Sequence, residues 1–182
     1  EGRANIPAFA DLAGLIGDAQ VRNRGTMGGS LAHADPRADY PGAVMGLDGI
    51  VHTDQRDIPA AEFFEGLFMT ALEEEEIITG VSFRVPTQAR YAKFPHPASK
   101  YPVAGVFIAK FDNGDVRVAV TGAGDTVFRV PAMEAALQAD FSAAAVAGVS
   151  VSPEGLQEDA DFSAAYRASL ITVMAKRARG AL

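Results

Sequence analysis

The spacing of apolar side chains predicts a helix at the beginning of the chain. Phe9, Leu12, Ala13 and Ile16 fall on one face of a helix, and the pair Gly17-Asp18 would end it. One face of this helix is therefore expected to pack against a core.

The pattern then changes to that of short strands. Strand-like pieces occur at residues 50–52 and 56–58, and residues 60–68 could form a short helix. Apolar and polar side chains alternate over residues 77–85, as on a half-buried strand, and Pro86 would stop that strand. This part of the chain is expected to contain a small sheet.

Three further strands are predicted in the second half. Residues 90–94 look extended, and strands at 103–111 and 116–121 flank residues 112–115, Asp-Asn-Gly-Asp, a strong hairpin signal. Residues 126–130 would add the third strand. The predicted sheet is antiparallel.

Two helices should follow these strands. Pro131 is favourable in the first turn of a helix that runs to Ala139, and a last helix is expected from about Phe162 to Arg179. Strands followed by helices, rather than alternating with them, predict the α+β class, with helices on one face of a three-stranded antiparallel sheet. A boundary between two parts is expected near residues 86–90.

Composition and charge narrow the function. The chain has 182 residues, of which 48% are hydrophobic and 21% charged, as in ordinary globular proteins. Neither a long apolar run nor a charged-then-apolar leader is visible, so a cytoplasmic protein is expected. A net charge of −7 argues against nucleic-acid binding. The acidic run Glu73–Glu76 is interpreted as a solvated turn.

The residue types of the chain argue against several kinds of metal, disulfide and catalytic site. With no Cys, this chain can hold neither an iron–sulfur cluster, nor a disulfide, nor a thiolate zinc site. His33, His52 and His96 are not at metal-ligand spacing. A hydrolase is disfavoured because the sequence has no Gly-x-Ser-x-Gly elbow and His96 has no evident partner.

The most informative segment is Thr26-Met27-Gly28-Gly29-Ser30. Paired glycines permit positive φ angles and let a ligand approach the main chain, and successive N–H groups in such a turn can cradle an anion. The hydroxyl groups of Thr26 and Ser30 could add hydrogen bonds to a phosphate. A tight structural turn explains the same residues, so both interpretations stay open.

A wider stretch resembles a known family. Residues 21–36, VRNRGTMGGSLAHADP, closely resemble the second flavin motif of the medium subunits of molybdenum hydroxylases, the carbon monoxide dehydrogenase and xanthine dehydrogenase family. The similarity continues at residues 38–41, 63–66 and 71–72, resumes at 91–101, and ends with patterns at 166–170 and 174–177. It therefore covers nearly the whole chain.

The resemblance implies a domain organisation. Residues 1–86 would be the second part of a PCMH-type FAD-binding domain, and residues 87–182 the carboxy-terminal domain of carbon monoxide dehydrogenase flavoproteins. The family also has an earlier Ala-Gly-Gly-His-Ser motif in an amino-terminal subdomain, which these residues do not contain. We therefore expect the chain to start inside the second subdomain, with part of the cofactor cradle outside this sequence.

The resemblance also implies binding residues, each with a plainer alternative. Thr26, Met27, Gly28, Gly29 and Ser30 would hold the pyrophosphate region of FAD. Asp39 matches an acidic position that contacts the cofactor, but it could equally be a helix cap.

The remaining implied contacts lie further apart in the sequence. Ile16 and Ile78 match apolar positions against the cofactor, and would look the same as plain core residues. Lys93 matches a lysine near the isoalloxazine ring, or is an exposed strand lysine. Tyr101 is similar to an aromatic side chain over that ring, or is a loop residue packed on the sheet. No catalytic residue is assigned to this chain.

The implied function is that of an oxidoreductase subunit. FAD on this chain would receive electrons from 2Fe–2S clusters on a small subunit, which receive them from a molybdopterin-binding large subunit, and pass them to an external acceptor. The complex would be a heterotrimer or a dimer of heterotrimers. The alternative is a docking or structural piece that does not hold FAD by itself. A free-standing flavoprotein oxidase lacks support, because residues 90–182 resemble no substrate domain.

Overall fold

A computed structural model describes residues 5–180 of the protein. Its helices are α1 (Pro7–Gly14), α2 (Ala19–Arg24), α3 (Met27–His33), α4 (Tyr40–Gly46), α5 (Ala60–Phe63), α6 (Pro131–Ala139), α7 (Ala143–Ala147) and α8 (Ala164–Gly180). Its strands are β1 (Ile50–Thr53), β2 (Asp57–Pro59), β3 (Phe64–Gly66), β4 (Met69–Thr70), β5 (Ile78–Ser82), β6 (Gln88–Pro95), β7 (Pro102–Lys110), β8 (Val116–Thr121) and β9 (Phe128–Arg129).

The largest sheet is antiparallel, in the order β6-β7-β8-β9. The predicted hairpin joins β7 to β8, and Gly114 in its turn has a φ of 88°. The sheet has four strands and not three, because residues 88–95 pair with β7 along their whole length. The α+β class is confirmed.

Both faces of this sheet are covered by helices, which explains why β7 is apolar on both sides. Helices α6 and α8 bury side chains such as Met133 and Met174 against one face. Helices α1 and α4 cover the other face, where Leu12 packs with Phe107. The prediction of helices on one face was therefore incomplete. It holds for the helices that follow the sheet in the sequence, whereas helices within residues 7–46 cover the opposite face.

A smaller sheet, in the order β2-β1-β5, forms beside this core; β5 is shorter than the predicted strand over residues 77–85, and Ile77 and Val85 at the ends of that range are exposed. The helix predicted over residues 60–68 was wrong after Phe63. From Phe64 onward the chain forms β3, which pairs with β4, and Phe68 adopts a positive φ of 55° between them. The β3–β4 hairpin and the burial of Phe63 and Phe64 outweigh the local helical pattern here.

The acidic run before β5 is only partly solvated. Glu73 and Glu74 are exposed, but the side chain of Glu76 is fully buried. Its carboxylate accepts hydrogen bonds from Arg56, from the Thr53 hydroxyl group and from the Glu73 N–H group. The interpretation of a solvated turn was therefore wrong for Glu76, whose charge is paired with Arg56 on the neighbouring hairpin.

Candidate functional site

The paired glycines lie at the start of helix α3 and not in a turn with positive φ. Thr26 is the residue before the helix, and its Oγ1 accepts a hydrogen bond of 3.0 Å from the Gly29 N–H group. Neither Gly28 nor Gly29 has a positive φ. The positive φ angles that paired glycines permit are therefore not used here, because Thr26 caps a helix. The first turn still directs backbone N–H groups outward, as an anion-binding segment requires.

The two glycines differ in the space around them. A Cβ atom on Gly29 would lie 2.9 Å from Thr26 Oγ1, so the cap itself needs glycine or a shift there. A Cβ atom on Gly28 would meet only Ile78, at an ordinary 3.8 Å. The fold of the described residues therefore gives Gly28 no steric reason to lack a side chain.

Beside α3 lies a cavity of about 380 Å³. Five of the predicted residues line it: Ile16, Thr26, Ser30, Asp39 and Tyr101. They come from the segment after α1, from the cap and first turns of α3, from the cap of α4 and from the loop between β6 and β7. The fold thus brings together positions that are as far apart in sequence as residues 16 and 101.

The other predicted residues lie outside this lining. Met27 and Ile78 are half-buried and pack against the apolar cluster that contains Leu31. Gly28 lies beside Ile78. Lys93 is behind the cavity wall. The cavity therefore unites half of the predicted set, and the rest forms its neighbouring surfaces.

Asp39, which lines the cavity, forms a buried ion pair with Lys93 behind the wall. Lys93 Nζ is 3.0 Å from Asp39 Oδ1 and also donates a hydrogen bond of 2.8 Å to the Leu15 carbonyl oxygen. The side chains of Lys93 and Asp39 are 5% and 2% exposed. The alternative of an exposed strand lysine was therefore wrong. Asp39 stands at the cap position of α4 but makes no capping hydrogen bond with its side chain.

Burial dominates the electrostatics of this group. It raises the pKa of Asp39, while the ammonium group of Lys93 and the hydrogen bonds from Tyr91 and Lys93 oppose that rise. Burial also raises the pKa of Tyr91, and the nearby Asp39 charge raises it further. Tyr91 therefore stays a neutral hydrogen-bond donor over the physiological pH range.

The loop that carries Tyr101 is held together around His96. The His96 N–H group donates to the Tyr101 carbonyl oxygen at 2.7 Å, and His96 Nδ1 accepts from the N–H groups of Ala98 and Ser99. Tyr101 is 40% exposed and faces the cavity, which is not the position expected of a loop aromatic packed on the sheet.

Several lining residues were not singled out from the sequence. Arg22 donates from Nη1 to the Ile16 carbonyl oxygen at 2.8 Å, so it fixes the segment after α1 and adds a cation to the lining. His33, Asp35 and Tyr40 also line the cavity. All but Tyr40 lie within the recognised stretch 21–36, which was the available signal.

A second polar cluster lies on the small sheet. His52 Nδ1 is 2.6 Å from Asp57 Oδ1, and His52 Nε2 is 2.8 Å from Ser82 Oγ. These residue types match a hydrolytic triad, but Asp57 and Ser82 are exposed and the cavities found in the described part of the chain are not lined by them. Without a substrate cavity, cross-strand hydrogen bonding explains the cluster.

Two other features of residues 5–180 bear on the choice of site. No group of three or more His, Asp or Glu side chains is arranged to hold a metal ion there. Within the same residues, no helix combines the length and the apolar character needed to cross a membrane. The cavity beside α3 is thus the leading candidate site.

Known proteins resemble this chain along most of its length. The family described as "FAD binding domain in molybdopterin dehydrogenase" matches residues 2–88. The carbon monoxide dehydrogenase medium chain of Hydrogenophaga pseudoflava is 32% identical, over 98% of this chain and 68% of that protein. The nicotine 6-hydroxylase medium subunit of Paenarthrobacter nicotinovorans is 36% identical, over 71% of this chain and 49% of that subunit.

Structural comparison agrees with the sequence comparison. A solved structure of carbon monoxide dehydrogenase from Hydrogenophaga pseudoflava superimposes with a TM-score of 0.81 and 29% identity, over 99% of this chain and 68% of that one. The chain thus spans about two thirds of that relative and about half of the nicotine 6-hydroxylase subunit. This chain belongs to the family of FAD-binding medium subunits of molybdenum-containing hydroxylases.

Proposed function

We propose that this chain is the FAD-binding electron-transfer subunit of a molybdenum hydroxylase. In the assembled enzyme, electrons would reach FAD from iron–sulfur clusters on a small subunit and leave to an external acceptor. A large subunit would hold molybdopterin and carry out the hydroxylation. The observation that carries the proposal is that Ile16, Thr26, Ser30, Asp39 and Tyr101 line one cavity.

The lining suits part of FAD in its chemistry. Apolar groups of Ile16 and Tyr101 fit a planar aromatic ring, and the Thr26 and Ser30 hydroxyl groups lie at a helix start that favours an anion. Arg22 adds a positive charge to the same lining. A Cβ atom on Gly28 would contact only Ile78, at 3.8 Å, so glycine at this position would let a ligand approach the backbone closely. The residues therefore fit the cofactor.

Each residue would have a limited task. The first turn of α3 and Arg22 would bind phosphate oxygens, and Tyr101 would exclude water from one side of a bound ring. Lys93, through its ion pair, would hold Asp39 and the Leu15 carbonyl group in place. When bound, FAD supplies the capacity to exchange electrons both singly and in pairs.

The domain division stays a prediction within this proposal. Residues 1–86 would form the second part of the FAD-binding domain and residues 87–182 the carboxy-terminal domain. The two share apolar clusters, since Ala119 and Val127 pack with Val44. We propose that they act as one rigid support for the cofactor.

The alternative is a docking piece that does not hold FAD by itself. The β3–β4 hairpin favours this alternative, because three consecutive apolar residues in it are exposed: Leu67 by 48%, Phe68 by 53% and Met69 by 58%. Consecutive exposed apolar side chains are typical of surfaces that meet another protein.

The FAD content of the complex distinguishes the two functions. The chain would be purified with the subunits that accompany it, as wild type, as Gly28→Leu and as the control Gly148→Leu. Gly148 has nothing within 4 Å of its Cβ position, and it lies at the end of α7. The proposal expects flavin in the wild type and the control, and its loss in Gly28→Leu with an unchanged subunit composition. An assembled wild-type complex without flavin would favour the docking function.

A further inference from the structure

The buried hydroxyl group of Tyr91 contacts Asp39, and the sequence did not predict this contact. Tyr91 lies on β6 and is 7% exposed. Its hydroxyl group donates a hydrogen bond of 2.7 Å to Asp39 Oδ1. Tyr91 does not line the cavity and Asp39 does, so the hydrogen bond to Asp39 gives Tyr91 a route by which to act on a bound ligand.

The neighbouring strand, β7, has a glycine, Gly105, where it faces this hydroxyl group. A Cβ atom on Gly105 would lie 2.2 Å from the Tyr91 hydroxyl oxygen and 2.9 Å from Cζ of the same ring. Gly105 is opposite Lys93 in the register of β6 and β7. Any side chain at residue 105 would therefore displace the Tyr91 ring and its hydrogen bond.

The carboxylate of Asp39 is thus held from one side by two donors of the same strand. Tyr91 contacts Oδ1, and Lys93 contacts both oxygens, at 3.0 Å and 3.1 Å. A carboxylate has about four acceptor directions, so it can accept a further hydrogen bond from the cavity side. A ligand hydroxyl or N–H group is the chemical class that fits this remaining capacity.

We infer that Tyr91 is a positioning residue, which orients the Asp39 carboxylate toward a hydroxyl or N–H group of the bound cofactor, and that Gly105 provides the space for its hydroxyl group. This inference rests on the proposed FAD site. It adds two residues, neither of which touches the cavity, to those that determine the affinity for FAD.

Other charged groups face the same carboxylate or cavity. Lys93 is on β6 beside Tyr91, and Tyr40 follows Asp39 at the start of α4. Arg22, His33 and Asp35 surround the cavity from α2, α3 and the loop after α3. A comparison of variants at one pH keeps the contributions of these groups constant.

A double-mutant cycle in the assembled complex tests the inference. The dissociation constant of FAD would be measured at pH 7 for the wild type, Tyr91→Phe, Asp39→Asn and the double variant. Tyr91→Phe should weaken binding about tenfold, because a misoriented Asp39 would lose its own hydrogen bond to the cofactor. In the Asp39→Asn background, the same change should have little further effect. Equal losses in both backgrounds would show a purely structural role and overturn the inference.

A control variant separates a local effect from a general one. Tyr166→Phe makes the same chemical change on α8, where the side chain is 45% exposed. It should leave the affinity for FAD unchanged. Gly105→Ala should weaken binding in the same direction as Tyr91→Phe, since both remove the hydrogen bond to Asp39.

A second measurement does not require FAD. Nuclear magnetic resonance would follow the titration of the Asp39 carboxyl group in the ligand-free 182-residue chain. Loss of the Tyr91 hydrogen bond predicts a higher pKa of Asp39 in Tyr91→Phe than in the wild type. An unchanged titration would overturn the inference. If wild-type complex bound no FAD while the titration still shifted, the proposed function would fail and the link between Tyr91 and Asp39 would stand.

Discussion

Lys93 and Asp39 form an ion pair beside the cavity. Nζ of Lys93 lies 3.0 Å from Oδ1 of Asp39, and both side chains are almost inaccessible to solvent. The same ammonium group binds the Leu15 carbonyl oxygen at 2.8 Å. One buried cation therefore connects strand β6 with the end of α1 and the start of α4. The position of two cavity walls depends on it.

Replacement of Lys93 by Met should destabilise the fold, because it leaves a buried carboxylate without its cation. The free energy of unfolding should fall by about 3 kcal/mol, as measured by urea denaturation at pH 7. Lys176→Met, on the exposed side of α8, is the matched control and should change stability by less than about 0.5 kcal/mol. Adding Asp39→Asn to Lys93→Met should recover part of the loss. Equal stability of the two Lys→Met variants would contradict a structural ion pair.

Thr26 should contribute to stability through its cap of α3. Thr26→Ala removes the acceptor for the Gly29 N–H group and should cost about 1 kcal/mol of unfolding free energy. Thr26→Ser keeps an oxygen at the same position and should cost much less. Hydrogen exchange at the Gly29 amide should accelerate in Thr26→Ala alone. If the serine and alanine variants behave alike, the hydroxyl group does not cap the helix.

Helix α4 packs against β7 too closely for a side chain at Gly46. A Cβ atom there would lie 2.8 Å from Phe107 Cδ1, and Phe107 is fully buried. Gly46→Ala should therefore lower the free energy of unfolding by about 1–3 kcal/mol. Gly14→Ala is the control within another helix, since nothing lies within 4 Å of its Cβ position. Thermal denaturation of both variants checks the difference, and an unaltered Gly46→Ala would mean that α4 lies further from the sheet.

Because Glu76 is paired with Arg56, the free energy of unfolding should decrease when the pH becomes acidic. Hydrogen bonds from Arg56, from the Glu73 N–H group and from Thr53 lower the pKa of Glu76 to about 2, from an ordinary value of 4.5. Because the pKa is lower in the folded state, this group stabilises the fold above about pH 4.5, and the stabilisation is lost as the pH falls toward about 2.

Urea denaturation at several pH values tests this dependence. Glu76→Gln should lower stability near neutral pH and flatten its decline between pH 4.5 and 2. Glu74→Gln, two residues earlier in the same acidic run and exposed, should keep the wild-type dependence. A wild-type slope in Glu76→Gln would show that the pair does not persist in solution.

Local patterns predicted those elements that carry their own signals. The hairpin at residues 112–115 contains Asn-Gly between two apolar strands, and α6 begins at Pro131 and ends at Ala139 as predicted. Residues 64–70 form a hairpin, and Phe63 and Phe64 at its start are buried against distant parts of the chain, which the local sequence does not encode, and there the prediction of a helix was wrong.

The site could be predicted only in part. Resemblance to a family grouped Ile16, Asp39 and Tyr101, which no periodicity connects, and the cavity contains all three. The burial of Lys93 depends on the end of α1, which is 78 residues away in the sequence. The contact of Tyr91 with Asp39 needs the missing side chain of Gly105 on another strand, and only the packed structure reveals that relationship.

Hydrogen exchange of the assembled complex, with FAD bound and after FAD removal, tests the central claim most directly. The account predicts slower exchange with FAD at the backbone amides of residues 25–30 and 99–101, and no change in the distant hairpin at residues 112–115. Protection confined to other subunits, or identical exchange at residues 25–30 in the two states, would contradict FAD binding at this cavity.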